Sequence, residues 1–540
     1  MGVPELRPWR AARPHVARVA DAVRPRLARA AGAVRPGLAR AATAARPRVA
    51  RLARATKPQL ARITRPKTVR TWQYTAGAAT AGLALAAGAV TVAGPWDSTG
   101  QRTAERDRAV ALDHTGGVDH GRGTAAGAPR PAPSAASVLT GLGGAAGRAK
   151  AEPDGKALAD VLDPLLKDPA LGSRTAAAVV DVATGARLYG AAPGDALTPA
   201  STTKIATAVA ALSSVGPDHR LTTRAALEPD TRELVLVGGG DPTLTARENA
   251  DGNASLRTLA DRTAAALKKR DLREITLSYD TTLYAGSDMH PIGVNDNLAR
   301  VSPLMADEAR TDDSTSGPAP RVPDPAADAA HKFAGFLADQ GIRTTAPGPS
   351  KATNRAEPLA EVSSPPLSAL VERMLTNSDN DIAEALLRQT AVAAGKRADF
   401  AGGASAVAAA LKKLDLPLKG TEFHDGSGLD RADRLSADLL TALLAKSADP
   451  AHPELRPVLT GLPVAGFTGT LTSRYTDGAA GLVRAKTGTL TGVNTLAGTV
   501  VDQSGRLLAF AFLTSDTANP PAAQSALDRA ATALAACGCR

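Results

Sequence analysis

Three short polar strings, Ser201-Thr-Thr-Lys204, Ser378-Asp-Asn380 and Lys486-Thr-Gly-Thr489, occur in that order, each in a different kind of local structure. The first opens a run with Ile205, Val209 and Leu212 at helical spacing. The second lies between helical patterns at 368–375 and 381–389. The third ends a strand-like stretch at 482–487. A fold that uses all three must bring a helix start, an interhelix loop and a strand to one place. Further strands are expected at 177–182 and 187–189, joined by a Thr184-Gly185 turn, and at 234–237, 275–279, 495–502 and 506–514, with a closing helix at 524–536. Strands at both ends with helices between them predict an α+β fold, in which the two ends share one antiparallel sheet flanked by helices.

The residue types in the strings carry chemistry. Ser201 sits at a helix start, where backbone N–H groups and the positive dipole end favour a developing oxyanion. Lys204, three residues on, lies on the same face within reach of the hydroxyl. It can take the proton only as a neutral amine, so its site must lower its pKa. Ser378 offers a second hydroxyl for proton relay, and Asn380 an amide that orients a substrate backbone. Lys486 supplies positive charge for a carboxylate, and Thr487 a hydroxyl. Gly488 permits close approach at a strand edge, where an extended peptide can bind by main-chain hydrogen bonds. Taken singly, each string also reads as a helix cap, a polar loop or a turn. Their conjunction in order points to acyl transfer by serine and lysine without histidine.

The set resembles the motifs of penicillin-binding proteins and serine β-lactamases. Gly238-Gly-Gly-Asp-Pro-Thr-Leu244, Asp280-Thr-Thr-Leu-Tyr284 and Asp425-Gly-Ser-Gly-Leu429 narrow the resemblance to the class C low-molecular-mass penicillin-binding proteins, the D-alanyl-D-alanine carboxypeptidase/endopeptidase family. It covers roughly residues 155–535. It implies a transpeptidase fold with an inserted domain at about 225–350, matching the long separation of Ser201 from Ser378. It assigns Ser201 as acylated nucleophile and Lys204 as its base, with Ser378, Asn380 and Lys486 completing the site. The oxyanion hole would be the backbone N–H groups of Ser201 and Thr489. Asp280 and Arg431 match the residues that recognise a diaminopimelate side chain, and otherwise read as a turn residue and a surface ion pair. The implied substrates are peptidoglycan stem peptides, the implied inhibitors β-lactams, and no cofactor or metal is called for. A class A β-lactamase would need a deacylating Glu in a Glu-x-x-Leu-Asn string, which this chain lacks. A non-catalytic wall-binding module would have no use for Lys204 or Ser378.

The rest of the chain bears on location. Residues 1–70 carry 18 Lys and Arg against Glu5 and Asp21, whereas the remainder holds 46 basic and 51 acidic residues. The basicity therefore belongs to one arm. There Pro14, Pro25, Pro36, Pro47 and Pro58 each follow Arg or Lys at a period of 11. Regular prolines break one long helix into short pieces. Such an arm suits an anionic lipid surface. Without aromatic platforms it suits nucleic acid poorly. Residues 74–94 hold no charge and are long enough to span a bilayer, with Trp72, Tyr74 and Trp96 at interfacial positions. A single-pass membrane anchor at 71–96 is expected, the arm cytoplasmic and everything after it outside the cell, joined through a flexible linker at 97–155 to a folded region at 156–540. Cys537 and Cys539, the only cysteines, are expected in a frayed tail.

Overall fold

The computed structural model describes residues 155–475 and 478–537. The basic arm and the expected anchor and linker, up to residue 154, lie outside the described residues. Among the described residues, no helix is long and apolar enough to cross a membrane.

The chain begins with α1 (Gly155–Leu166), the hairpin β1 (Arg174–Asp181) and β2 (Arg187–Ala191), and α2 (Thr203–Val215). A second region follows: β3 (Thr222–Leu227), β4 (Glu233–Val237), α3 (Leu256–Lys268), β5 (Glu274–Asp280), α4 (Pro325–Asp339), the two-residue strands β6 (Arg343–Thr344) and β7 (Gly348–Pro349), and β8 (Glu357–Ser363). Helices α5 (Leu367–Asn377), α6 (Asn380–Ala393), α7 (Phe400–Lys413), α8 (Ala437–Ala448) and the short α9 (Pro457–Thr460) lead to β9 (Val483–Leu490), β10 (Val493–Val501), β11 (Leu507–Ser515) and α10 (Pro520–Ala536).

The first sheet has the order β2-β1-β11-β10-β9 and is antiparallel throughout, so strands from both ends share it. β10 and β11 are buried along nearly their whole length. Alternating polar residues are absent there because both faces are covered. One face packs on α2 and α5–α8 through Ile205, Val209, Leu370, Leu386, Leu440 and Leu513. The other packs on α1 and α10 through Leu158, Leu162, Phe510, Phe512, Leu527 and Leu534. Cys537 is buried in this second core, which corrects the frayed tail expected there, and Cys539 lies outside the described residues.

The second sheet is built from residues 222–363 and has its own core around Phe333, Leu236, Leu259 and Leu277. It is a mixed sheet, since β3 and β4 run antiparallel and β4 and β5 parallel. The cause is α3, a crossover helix that returns the chain to the starting end of the sheet. Its start is legible, since Ser255 caps it by accepting from the Thr258 N–H at 3.2 Å. In α4 and α10, Asp324 and Asn519 cap helices that have proline in the first turn.

Candidate active site

Ser201 lies in a one-turn 3-10 segment, Ala200–Thr202, that runs directly into α2. Ala200 before it is held at φ +48°, a left-handed conformation that a non-glycine residue adopts only when its surroundings impose it. Those surroundings are tight. Thr495 Oγ1 on β10 donates to the Pro199 carbonyl at 2.8 Å. A Cβ on Gly428 would stand 1.9 Å from the Ala200 carbonyl oxygen, so only glycine fits there.

Lys204 is fully buried. Its Nζ reaches Ser201 Oγ at 3.0 Å, Asn380 Oδ1 at 2.7 Å and the Ser427 carbonyl at 2.7 Å. Burial pulls its pKa from 10.5 down to about 8, against the upward pull of Asp425, Glu384, Asp379 and Asp381. The neutral amine is therefore accessible near neutral pH, as a general base requires. Lys486, also fully buried, donates to Ser378 Oγ at 2.9 Å and to the Thr487 carbonyl at 2.7 Å. Burial, then the charges of Lys204 and Arg474, hold it well below the usual lysine range.

The second string sits at a helix junction. Ser378 ends α5 at φ +59°, and Asp379 caps α6 by accepting from the Ile382 N–H at 3.0 Å. This sharp turn presents Ser378 to Lys486 and Asn380 to Lys204. Asn380 Nδ2 also donates to the Asn297 carbonyl at 2.8 Å, so the region 222–363 touches the site directly.

Lys486, Thr487, Gly488 and Thr489 lie on β9, the edge strand of the first sheet. A Cβ on Gly488 would meet Thr495 Oγ1 at 2.1 Å and the Pro199 carbonyl at 2.8 Å, so glycine lets β9 lie against the Ser201 turn. Thr487 Oγ1 donates to Thr470 Oγ1 at 3.0 Å. A cleft of about 300 Å³ opens over these groups, lined by Ser201, Ser378, Asn380, Thr470 and Thr489 and by Asn297, Arg310 and Arg321.

Asp280 and Arg431 fare differently from the other residues singled out in the sequence. Asp280 lies at the end of β5, buried, with Oδ1 accepting from Thr282 N–H at 2.7 Å and Oδ2 from Ala352 N–H at 3.0 Å. Its carboxylate is spent on a turn, and it is not among the residues lining the cleft. Arg431 is exposed, its guanidinium donating to the Thr491 carbonyl at 2.6 Å between β9 and β10, and it too is outside the lining.

Glu384, Asp433 and His290 have no place in the sequence reading, and Asp425 enters it only as the first residue of its Asp-Gly-Ser-Gly-Leu string. Beneath Lys204, Glu384 accepts from the N–H groups of Gly426 at 3.1 Å and Ser427 at 2.9 Å. Its spacing from Asn380, four residues on the same helix, was the available signal. Asp425 accepts from Gly428 N–H at 2.7 Å, Asp430 N–H at 2.7 Å and Ser427 Oγ at 3.1 Å. Burial would raise its pKa, but bonds from His290 and Asp433 outweigh it and hold it at about 2. Burial and the Asp425 charge push Asp433 up to about 10 and Glu384 up to about 7. Two buried triads, His290–Glu384–Asp425 and Glu308–Asp379–Asp381, bring candidate ligand atoms together. In the first, backbone and side-chain donors already occupy the carboxylates. In the second, Arg310, Arg321 and Arg373 pair with the acids. Neither invites a cation.

The profile of the D-Ala-D-Ala carboxypeptidase 3 (S13) family matches residues 158–320 and 309–534. This chain belongs to that family. A carboxypeptidase of Mycobacterium tuberculosis is 34% identical over 429 residues, covering 76% of this chain and 90% of that protein. Carboxypeptidase DacB of Mycolicibacterium smegmatis is 35% identical over 406 residues, covering 72% and 85%. Among solved structures, penicillin-binding protein 4 (dacB) of Haemophilus influenzae shares the fold, with TM-score 0.56 and 21% identity over 69% of this chain and 97% of that one. The three strings of this S13 member thus stand within one cleft, on a helix start, a helix junction and an edge strand.

Proposed function

We propose that this S13 member is a serine D-Ala-D-Ala carboxypeptidase acting on peptidoglycan stem peptides through an acyl-enzyme. The observation that carries the reading is the contact of a buried Lys204 amine, its pKa near 8, with Ser201 Oγ at 3.0 Å. In this reading Lys204 takes the hydroxyl proton as Ser201 Oγ bonds to the penultimate D-Ala carbonyl carbon. The N–H groups of Ser201 and Thr489 hold the oxyanion. The C–N bond breaks, and the terminal D-Ala amine leaves with a proton relayed by Ser378 from Lys486 or Lys204. Asn380 orients the substrate backbone, and Thr487, Gly488 and Thr489 offer the β9 edge to an extended peptide. Water then resolves the ester, and a β-lactam would leave a slowly hydrolysed ester on the same serine. Cross-link cleavage is the same reaction with a different leaving amine.

Incubation of the purified full-length chain with a D-Ala-D-Ala peptide, a cross-linked muropeptide dimer and fluorescent penicillin tests this. Release of D-Ala with covalent labelling is expected, and both vanish in Ser201→Ala. Folded protein that neither releases D-Ala nor takes the label would sink the proposal. Rapid turnover of penicillin would favour a β-lactamase instead.

For location, we propose a single-pass anchor at 71–96, with the basic arm on an anionic inner leaflet and the peptidase outside the cell. The support is the uncharged stretch and the arginine bias before it. Flotation of the arm 1–70 with vesicles is expected to depend on anionic lipid, and equal binding to neutral vesicles would reject that part.

A further inference from the structure

His290 lies in the region 222–363, yet its imidazole is buried against the core of the peptidase fold, edge-on to Phe400 on α7 at 5.4 Å between ring centres. Its Nδ1 accepts from the Ile292 N–H at 3.2 Å. That bond fixes the tautomer, so the proton sits on Nε2, which donates to Asp425 Oδ2 at 3.0 Å. Asp425 in turn gathers Gly428 N–H, Asp430 N–H and the Ser427 hydroxyl. The loop so folded aims the Ser427 carbonyl at Lys204 Nζ, 2.7 Å away. Glu384 on α6 grips the same loop from the other side through the N–H groups of Gly426 and Ser427.

We propose that His290 is a positioning residue for Lys204, acting through Asp425 and the Ser427 carbonyl, and that the region between Ser201 and Ser378 thereby sets the reactivity of the acylation base. The inference rests on Lys204 serving as that base. His290 touches neither Lys204 nor the cleft. The charged groups facing it are Asp425 and Asp430 on the loop and Glu384 on α6. Burial opposes a charge on the ring, while Asp425 and Glu384 favour it. Its two nitrogens do separable jobs, one holding its own turn at Ile292 and the other holding Asp425.

Two substitutions in the full-length chain separate those jobs. His290→Gln places a donor where Nε2 stood and keeps the Asp425 bond. His290→Asn places an acceptor where Nδ1 stood, keeps the Ile292 bond and falls short of Asp425. The readouts are the second-order rate of penicillin acylation across pH and the titration midpoint of Lys204, followed by NMR of Nζ-labelled lysine. His290→Gln is expected to stay within about twofold of the parent. His290→Asn is expected to lose about tenfold, with the acid limb of its profile and the Lys204 midpoint moved together by about half a unit or more. Equal rates and midpoints in all three proteins would overturn the proposal. So would a loss in both variants that tracks melting temperature and leaves the Lys204 midpoint unmoved. If the parent takes no penicillin label, the acylation reading fails, and the Lys204 midpoints alone still decide the positioning role.

Discussion

Thr495 Oγ1 donates to the Pro199 carbonyl at 2.8 Å, tying the middle of β10 to the turn that carries Ser201. The bond runs from the late part of the chain to the early part and holds Ala200 in its left-handed conformation. Thr495→Val keeps the shape and removes this donor, leaving the Pro199 carbonyl to the Thr202 hydroxyl at 2.7 Å and the Thr202 N–H at 3.3 Å. A loss of about 0.5–1.5 kcal/mol in stability is expected, the net worth of one hydrogen bond, with acylation slowed more than D-Ala-D-Ala binding. Denaturant melts and single-turnover labelling separate the two effects. Unchanged labelling would mean that the turn holds its shape without the bond.

Lys204 has its pKa near 8 because burial wins over four nearby carboxylates. An amine must be neutral to accept the Ser201 proton. The acylation rate is therefore expected to rise as pH rises through about 8 and to level off above it. Lys204→Gln removes the base while keeping a polar side chain, and a drop of about 10²–10⁴-fold in labelling is expected. A flat profile between pH 6 and 9 would contradict the assignment.

Gly488→Ala adds a methyl that meets Thr495 Oγ1 at 2.1 Å and the Pro199 carbonyl at 2.8 Å. The edge strand must move off the serine turn, carrying the N–H of Thr489 with it. Labelling is expected to fall by about 10²-fold or more, the scale seen when one oxyanion donor is lost. Far-UV circular dichroism should stay unchanged.

Asp433 carries the opposite lesson about stability. Its pKa rises from 3.8 to about 10, through burial first and the Asp425 charge second. The folded chain therefore holds a proton there that the unfolded chain gives up above about pH 4. The contribution is fully present below that pH and is lost as pH climbs toward 10. Asp433→Asn imitates the protonated form, still accepting from His424 N–H and donating to Asp425. Relative to the parent, its melting temperature is expected to climb steadily from pH 5 to pH 9. A parallel pair of curves would show that Asp433 is ionised in the folded state.

Much of the first sheet and the three strings could be read from periodicity and residue type. The strands expected at 495–502 and 506–514 correspond to β10 and β11, and the junction around Ser378 lies where the helical patterns break. The region 222–363 was harder, because α3 and the parallel pairing of β4 with β5 depend on how the chain crosses over, and short apolar runs do not encode that. Asp280 keeps two readings in sequence because a side chain that caps a turn and one that binds a ligand look identical in a string of letters, and the structure shows the turn bonds. The Ser427 carbonyl was invisible because main-chain groups carry no signature of their own. His290 was invisible because its partner Asp425 is far away in sequence.

The first sheet pairs β1 with β11 residue for residue, from Arg174 opposite Ser515 to Asp181 opposite Leu508. During synthesis the nucleophile and its base therefore emerge early into a half-built structure. β1 then has β2 as its sheet neighbour but not β11, Lys486 and Thr495 have not been made, and of the contacts on the Pro199 carbonyl those from Thr202 alone are in place. A chain halted before β9 carries Ser201 and Lys204 without Lys486, Thr495 or the strands that bear them. The topology thus delays the full set of groups around Ser201 until the last strands of the sheet have been made.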